Sequence, residues 1–464
     1  MTKSTEDYQL PTRLIDLGST PIRLVQSSDL TTKPHYAALS HCWGTLDFYK
    51  LKQDNLEDFM RAISKESPTK TFQDAIYIAR SLSLQYLWID SLCIIQGCDI
   101  DWHSESALMN SVYSGSTITI AAVGASDGTK GCFLKSPGYI GKVHFKPTID
   151  EPLADRAWAV QERLLSPRTL HFSKTGLFWE CRHCDASESF PGGSPAFEDQ
   201  HMFHRDRKPV SEIWHIIIKL YTGSKLAFAS DKMIAISGLA QQAFKENADQ
   251  YLAGLWRKDI ELQLLWYQQA PGRRLPPGSK YRAPSWSWAS TDEGGSVSYV
   301  QRHEGYEIYF GEVKGGELRM SYSVMLVGQF KETRIFERGN WHTFTQLEIN
   351  SSDNETEIFE VYLESDEFNG RDIYLLPVLE ILGKAKLNKR DLQVLVVLPT
   401  GNNKGEYFRI GMIELLASDE SHRKTQDRFL ELLKLFGKAT AEAQCAEVLE
   451  DPEFEKEQYV ITIV

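Results

Sequence analysis

The chain has 464 residues, of which 42% are hydrophobic and 25% charged, a composition typical of a globular protein with two or three domains. Its net charge of −12 argues against a general nucleic-acid-binding surface, which needs positive charge to displace counterions from phosphates. Seven cysteines are scattered along the chain, which predicts reduced thiols. The sequence shows no apolar signal segment and no apolar run near the roughly 20 residues that span a bilayer, and we therefore expect a cytoplasmic protein.

The first predicted elements lead into a polar loop. The run "YAALS", residues 36–40, predicts a short strand, and Gly44 permits a tight turn soon after it. A Thr-x-x-Asp capping box opens a predicted helix over residues 71–82, in which apolar residues recur at helical spacing. The dense apolar run that follows predicts a strand over residues 86–90, with Asp90 at its end.

The next elements extend the same alternation. A helix is predicted from about residue 101 to 113, a buried strand over 116–123 and a further helix over 156–165. This β-α-β-α-β order predicts a parallel sheet covered by helices. Because ligands of such sheets bind outside the carboxyl ends of the strands, Ser40 and Asp90 are expected on one rim.

Changes in composition predict three regions. The α/β region spans residues 1–188 and ends where "SFPGGSPAF" begins. Residues 189–282 are mainly helical by pattern, and residues 283–464 are predicted to be β-rich with a late helix. In "APSWSWAS", residues 283–290, the alternating tryptophans predict a strand with a buried face.

Glu105 is the most unusual acidic residue of the predicted helices. At about 100° per residue it falls within the same apolar sector as Trp102, Met109 and Tyr113. Burial raises the pKa of a carboxylic acid, and a perturbed acid near a strand end is a candidate for a functional group. The alternative is a structural carboxylate paired with a buried arginine such as Arg156.

Four other polar residues permit two interpretations each. Asp90 could bind a ligand, or it could accept N–H groups from the following turn. Cys93 could be a nucleophile, but cysteine is also a common core residue. Gln161 and Glu162, at the edge of a helical stripe, could hold a ligand or tie the helix to neighbouring loops.

The sequence "CRHC", Cys181 to Cys184, has the spacing of half a zinc site. No second Cys or His pair completes it, although His201 and His204 are close in sequence, so no metal is predicted. The chain also lacks a P-loop, GxGxxG, GxSxG and HExxH. Phosphotransfer, α/β-hydrolase and zincin chemistry therefore lose their main support.

Three sequence blocks resemble the signatures of the fungal heterokaryon-incompatibility (HET) domain. They are "YAALSHCWG", then "YLWIDSLCIIQ" followed by "DWHSESALMNSVY", and finally "RAWAVQERLLSPRTLHF". The resemblance covers about residues 30–185. It departs from the family pattern at His41, where an aromatic residue is more usual.

The resemblance implies a flavodoxin/TIR-like parallel sheet and a role in fungal non-self recognition and programmed cell death. TIR domains self-associate, and several hydrolyse NAD with a glutamate beside the strand-end cleft. Glu105, shortly after Trp102, resembles that glutamate and is the predicted catalytic residue. The predicted substrate-binding residues are Ser40, Trp43, Gly44, Asp90, Cys93, Trp102, Arg156, Gln161 and Glu162.

Two functions are consistent with this resemblance. In the first, the N-terminal domain of a cell-death effector binds and hydrolyses NAD, with NAD as substrate and no required cofactor. In the second, the domain is a non-catalytic signalling module that self-associates, while the C-terminal half recognises a protein partner or trigger. Glu105 in its apolar stripe favours the enzyme, and the lack of a sharply defined catalytic constellation favours the module.

Overall fold

The computed structural model describes residues 9–64, 69–134, 151–193, 209–268 and, with interruptions, 273–464. The chain divides into two compact units, Met1–Ala248 and Asp249–Val464. The predicted α/β region and β-rich C-terminal region are confirmed, whereas the boundaries at residues 188 and 282 stay predictions.

The first unit contains an eight-stranded sheet among its described residues. In chain order the strands are β1 (Arg13–Asp16), β2 (Arg23–Gln26), β3 (Tyr36–Ser40), β4 (Tyr86–Trp88), β5 (Ile118–Ala121), β6 (Arg168–Ser173), β7 (Gly176–Cys181) and β8 (Asp185–Ser187). Across the sheet their order is β2-β1-β4-β3-β5-β6-β7-β8. The central four, β4-β3-β5-β6, run parallel, and antiparallel strands flank them on both sides.

Helices cover this sheet. They are α1 (Leu56–Arg61), α2 (Lys70–Ser81), α3 (Asp90–Cys93), α4 (Asp99–Gly115), α5 (Ala157–Leu165), α6 (Trp214–Thr222) and α7 (Ser237–Asn247). Helix α2 packs against β4, while α5 packs against α4, α6 and α7. The helices that follow the sheet in the chain therefore complete the layer formed by α4 and α5.

The strand order creates a switch point between β3 and β5. The chain leaves β3, forms β4 on one side of it, and returns through α4 to form β5 on the other side, where Ser40 pairs with Ala121. In doubly wound sheets the ligand crevice lies at such a reversal, outside the carboxyl ends of the strands. The end of β3 is consequently where this fold favours a ligand site.

Two predicted element ends differ from the structure. Helix α2 is capped by Thr69, whose Oγ1 accepts the Phe72 N–H at 3.4 Å, and not by Thr71, whose hydroxyl accepts the Gly131 N–H at 3.2 Å instead. Strand β4 ends at Trp88, since Asp90 already starts the short helix α3. A side chain that hydrogen-bonds the backbone just after it competes with continued strand structure.

The second unit is mostly antiparallel β-structure. Much of its buried apolar core comes from three long strands, β21 (Asp372–Leu382), β22 (Arg390–Pro399) and β23 (Glu406–Leu415). Its elements are β9 (Tyr251–Leu252), β10 (Leu255–Trp256), α8 (Ile260–Gln263), β11 (Tyr267–Gln268), β12 (Arg273–Arg274), β13 (Thr291–Asp292), β14 (Val297–Ser298), β15 (Tyr306–Tyr309), β16 (Gly311–Lys314), β17 (Glu317–Met320), β18 (Leu326–Glu337), β19 (Asn340–Glu348), β20 (Val361–Leu363), β21 (Asp372–Leu382), β22 (Arg390–Pro399), β23 (Glu406–Leu415), β24 (Glu447–Asp451) and β25 (Lys456–Ile463).

The predicted strand through "APSWSWAS" is wrong. The segment forms turns and a short 3-10 helix over Trp288–Ser290. Trp288 is fully buried, but Ser287 is buried as well, so the alternation does not separate two faces of a strand. The Ser287 hydroxyl caps the short helix by accepting the Ala289 N–H at 3.0 Å, which favours the turn over extended structure.

Among the described residues, none of the helices combines the length and the hydropathy of a membrane-spanning segment.

Candidate functional site

Polar side chains meet where β3 and β4 end. Ser40 is the last residue of β3 and His41 follows it, and both are almost fully buried. The Trp43 indole N–H donates to the Asp90 carboxylate at 2.8 Å, and His41 Nδ1 lies 3.8 Å from the other oxygen of that carboxylate. Asp90 also accepts the Ser91 backbone N–H at 2.7 Å. Both interpretations of Asp90 thus have support, because it closes its own turn and remains partly exposed at the rim.

Helix α5 and the residue before it supply the other half of this cluster. The Ser40 hydroxyl donates to the Glu162 carboxylate, and Arg156 donates through Nη1 to the carbonyl oxygen of His41. From α4, the Tyr113 hydroxyl donates to the carbonyl oxygen of Leu39 at 3.3 Å. The parallel sheet therefore brings together Ser40, Trp43, Asp90, Arg156 and Glu162, five of the residues predicted from the sequence.

Burial shifts the pKa values of two residues of the cluster, Glu162 and His41, in opposite directions. Burial raises the pKa of Glu162, Asp90 raises it further, and Arg156 and the Ser40 hydroxyl oppose that rise. Burial lowers the pKa of His41 to about 4, so this histidine is neutral at pH 7. A carboxyl group with a raised pKa at a strand-end switch point is a candidate for chemistry.

A shallow cleft of about 580 Å³ opens beside Trp43, and its volume is in the range of ligand pockets. Lys50, which lines it, holds its ammonium group 5.6 Å from the Trp43 ring centroid and 4.9 Å from that of Phe48. The Phe48 ring packs edge-on against Phe72, which packs in the same way against His41. The cleft and the buried cluster therefore share one aromatic wall. The cleft is lined by Asp47, Phe48, Tyr49, Lys50, Lys52, Asp54 and Asn55.

Glu105 lies in a different cluster. It is 1% exposed, and its Oε1 lies 3.6 Å from Arg13 of β1. Arg13 also binds Asp101 at 2.6 Å and donates to the carbonyl oxygen of Cys93 at 2.7 Å. Within the described residues, Glu105 makes no hydrogen bond or ion pair with Ser40 or Asp90.

This arrangement clarifies the two interpretations of Glu105. Burial raises the pKa of Glu105, as its place in the apolar stripe predicts, while Thr12 and Arg13 oppose the rise. Its arginine partner is Arg13, and the suggestion of Arg156 is wrong because that residue contacts His41. Its Oε2 has no hydrogen-bond partner among the described residues. The catalytic role of Glu105 stays a prediction.

Cys93, Trp102 and Gln161 do not contact the Ser40–Glu162 cluster through hydrogen bonds in the described structure. Cys93 is fully buried, and burial raises the pKa of its thiol to about 12, which disfavours a reactive thiolate. Trp102 packs edge-on against its neighbour His103. Gln161 accepts the Gly238 N–H of α7 at 2.8 Å, so it ties two helices together.

Gly44 allows a tight turn of the backbone just before the residues that line the cleft. Its φ is +69°, and an added Cβ would lie 2.5 Å from Cβ of Asp127. Only glycine adopts this conformation at low cost and leaves room for the neighbouring loop. Gly44 therefore fixes the path of the chain directly after Trp43.

Sequence reasoning missed three residues that organise the site. His41 was visible as a departure from the family pattern, and Tyr113 was visible only as an apolar residue of the Glu105 stripe. Arg13, in the strand "RLID", carried a signal because a charged residue that begins an apolar strand needs a partner. Their partners lie far away in sequence, and only the sheet order brings them together.

The "CRHC" motif forms the tip of the β7–β8 hairpin. His201 and His204, considered as additional ligands, lie outside the described residues. Among those described, no group of three or more His, Cys, Asp or Glu side chains is arranged to hold a metal ion.

Comparison with known proteins finds a family that matches part of the chain, including Ser40, Trp43 and Asp90 of the site. No curated protein and no solved structure matches the chain. Residues 36–140 match the model of the family described as heterokaryon incompatibility protein (HET). That range begins with β3 and contains the first two of the three blocks that resemble the family. Over residues 36–140 the chain is therefore similar to the heterokaryon incompatibility (HET) domain, which confirms the resemblance seen in the sequence over that range.

Proposed function

We propose that the HET domain binds NAD at the carboxyl edge of its parallel sheet and hydrolyses the bond between nicotinamide and ribose. In this proposal NAD loss is how the chain causes cell death in heterokaryon incompatibility. The observation that carries the proposal is the buried carboxyl group of Glu162, held by Ser40 at the switch point between β3 and β5. Doubly wound sheets bind nucleotides at this place.

The reaction needs a negative group near the sugar. Water adds to C1′ of the ribose as the C1′–nitrogen bond breaks, and the products are nicotinamide, ADP-ribose and one proton. Positive charge develops on the sugar in the transition state, and a carboxylate stabilises it most strongly where water is excluded. Glu162, 4% exposed, has such surroundings.

The rim supplies groups for the rest of a dinucleotide. Asp90, whose side chain is 19% exposed, can accept ribose hydroxyls, and the half-buried Trp43 offers a ring face for stacking. Lys52 and Lys50, the latter paired with Asp47 at 3.1 Å, line the adjacent cleft and can donate hydrogen bonds to a pyrophosphate. In this proposal the buried Glu162 serves the reaction, and the more exposed residues at the rim serve binding.

Two carboxyl groups compete for the catalytic role. Glu105 is the residue that the resemblance to TIR domains favours, but its nearest charged partner is Arg13. Glu162 lies in the cluster that contains Ser40, Asp90 and Arg156, and we therefore prefer it. Replacing each glutamate separately distinguishes the two assignments.

A non-catalytic signalling module is the alternative, and one observation favours it. Ser40, His41 and Glu162 are each at most 4% exposed, and Ser40 and Glu162 bind each other. Such a satisfied network also serves to fix the fold of a domain that acts by self-association. In this alternative the C-terminal half recognises the partner or trigger.

Growth and NAD content of cells that express the chain separate the two functions. We expect wild type to stop growth and deplete NAD, and Glu162→Gln to do neither at equal protein level. Glu105→Gln tests the competing assignment, because loss of NAD depletion only in this variant would move the catalytic role to Glu105. If wild type and both variants stop growth while NAD stays constant, the enzymatic proposal is wrong and the signalling module is favoured.

A further inference from the structure

The tip of the β7–β8 hairpin holds two cysteine sulfurs close together. The Cys181 N–H donates to the carbonyl oxygen of Cys184 at 3.0 Å, which leaves Arg182 and His183 as the two residues of a tight turn. The two Sγ atoms are 3.7 Å apart. Cys181 is buried and Cys184 is exposed, so one sulfur is fixed by the fold and the other faces solvent.

Backbone N–H groups point at the fixed sulfur. His183 N and Cys184 N each lie 3.4 Å from Cys181 Sγ, and both belong to the turn itself. N–H groups within hydrogen-bond reach of a sulfur atom favour its negatively charged form. A thiolate is the form in which cysteine binds a metal ion.

The distance between the sulfurs suits a tetrahedral ion. Zinc binds cysteine sulfur at about 2.3 Å, and two ligands at that distance and a tetrahedral angle are about 3.8 Å apart. The observed separation of 3.7 Å agrees with this value without any movement of the hairpin. The exposed Cys184 gives the ion a path from solvent.

We propose that Cys181 and Cys184 bind one thiophilic cation of the Zn²⁺ type through both sulfurs. Binding releases a proton from each thiol and forms two metal–sulfur bonds. Because no third His, Cys, Asp or Glu joins the pair among the described residues, the remaining positions are open to water, a small thiol or a second copy of the chain. This site is independent of NAD hydrolysis, and it departs from the expectation that the chain binds no metal.

The neighbouring residue gives this site a structural consequence. Glu180, directly before Cys181, accepts from Arg163 of α5 at 2.8 Å and contacts His171 of β6 at 2.9 Å. A metal ion that links Cys181 and Cys184 restrains the backbone of the hairpin, and with it the position of Glu180. Because a ligand that binds only the native state stabilises it, metal binding is expected to raise the stability of the chain.

Competition with a chromophoric chelator tests the proposal on the full-length, reduced, metal-free chain. Titration with Zn²⁺ is expected to show at most one ion per chain, bound at least tenfold more weakly by Cys181→Ser and by Cys184→Ser. The matched control is Cys98→Ser, a half-exposed cysteine away from the hairpin, which is expected to bind as wild type does. No competition by the reduced wild type, or equal affinity in all four proteins, overturns the proposal.

Alkylation of the wild type adds a measurement that does not depend on how the variants fold. Zn²⁺ is expected to protect Cys181 and Cys184, but not Cys98, from iodoacetamide, as read by mass spectrometry of the peptides. Equal labelling of Cys181 and Cys184 with and without Zn²⁺ contradicts the proposal. Loss of both free thiols under reducing conditions without metal also contradicts it, because that result assigns the pair to a stable disulfide.

Discussion

His41 is a buried base that is expected to make stability depend on pH. Its ring packs edge-on against Phe72 with the centroids 5.1 Å apart, and burial lowers its pKa from 6.5 to about 4. Between these two pH values the unfolded chain binds more protons at this histidine than the folded chain does. The folded state therefore has its full stability with respect to His41 above about pH 6.5, and it loses stability progressively as the pH falls towards 4.

Replacing this histidine removes that pH dependence. His41→Phe keeps an aromatic ring against Phe72 and has no group that titrates, so its free energy of unfolding is expected to fall less than that of wild type between pH 7 and pH 5. Urea unfolding of both proteins at the two pH values measures the difference. An equal fall in both proteins would show that His41 is not the group responsible.

Glu162 is expected to set the acidic limb of NAD hydrolysis. Burial raises its pKa above the ordinary 4.5 of glutamate, so the ionised form that stabilises the sugar cation is lost as the pH falls through that raised pKa. Asp90 contributes to the rise through its negative charge, so Asp90→Asn is expected to shift the limb to lower pH. The pH profile of kcat/KM for wild type and Asp90→Asn measures this shift, and an unmoved limb contradicts the assignment to Glu162.

At the scale of elements, Glu180 joins three of them. From β7 it contacts His171 of β6 and Arg163 of α5, the helix that carries Glu162. Burial alone raises the pKa of Glu180, but Arg163 and His171 outweigh it and hold that pKa well below the usual range. The resulting stabilisation is present above the ordinary glutamate pKa and is lost as the pH falls towards the depressed one.

Removing the charge of Glu180 tests this junction. Glu180→Gln is expected to lower the free energy of unfolding at pH 7 by about 2 kcal/mol, less than for a fully buried pair because the Arg163 side chain is 40% exposed. The control is Glu57→Gln, which breaks an exposed pair with Arg61 on α1 and is expected to leave stability unchanged. Equal effects of the two substitutions, measured by urea unfolding, would show that Glu180 has no special structural role.

The sequence predicts the helices and strands more accurately than it predicts the contacts between them. Apolar spacing placed β3, α2 and α4 and put Glu105 on a buried face, because each of these patterns is local. The Ser40–Glu162 contact joins residues 122 positions apart, and it depends on the order of β3, β5 and α5, which periodicity does not encode. Where a local side-chain bond competed with the pattern, as at Thr69 and Asp90, the predicted ends of elements were wrong.

At the scale of the whole molecule, the first compact unit extends to Ala248. Helices α6 and α7 supply buried residues such as Ile217 and Leu239, and α7 contacts α4 through Gln241, whose Oε1 lies 3.4 Å from Asn110 Nδ2. Removing these helices exposes the apolar surfaces of α4 and α5. The compact unit therefore includes helices that follow the boundary predicted at residue 188.

Truncation compares the two boundaries. A fragment of residues 1–248 is expected to be monodisperse and to unfold in one cooperative thermal transition, whereas a fragment of residues 1–188 is expected to aggregate or to melt without cooperativity. Size-exclusion chromatography and circular dichroism measure both properties. A shorter fragment as cooperative and as stable as the longer one would support the boundary predicted at 188.

Nicotinamide release by the purified full-length chain tests the central claim most directly. With NAD as the only substrate, chromatography is expected to detect nicotinamide and ADP-ribose in equal amounts for wild type. Glu162→Gln is expected to lower the rate at least 100-fold, in keeping with the loss of one preorganised group that stabilises charge. The absence of both products with folded wild type, or an undiminished rate in Glu162→Gln, would contradict the account.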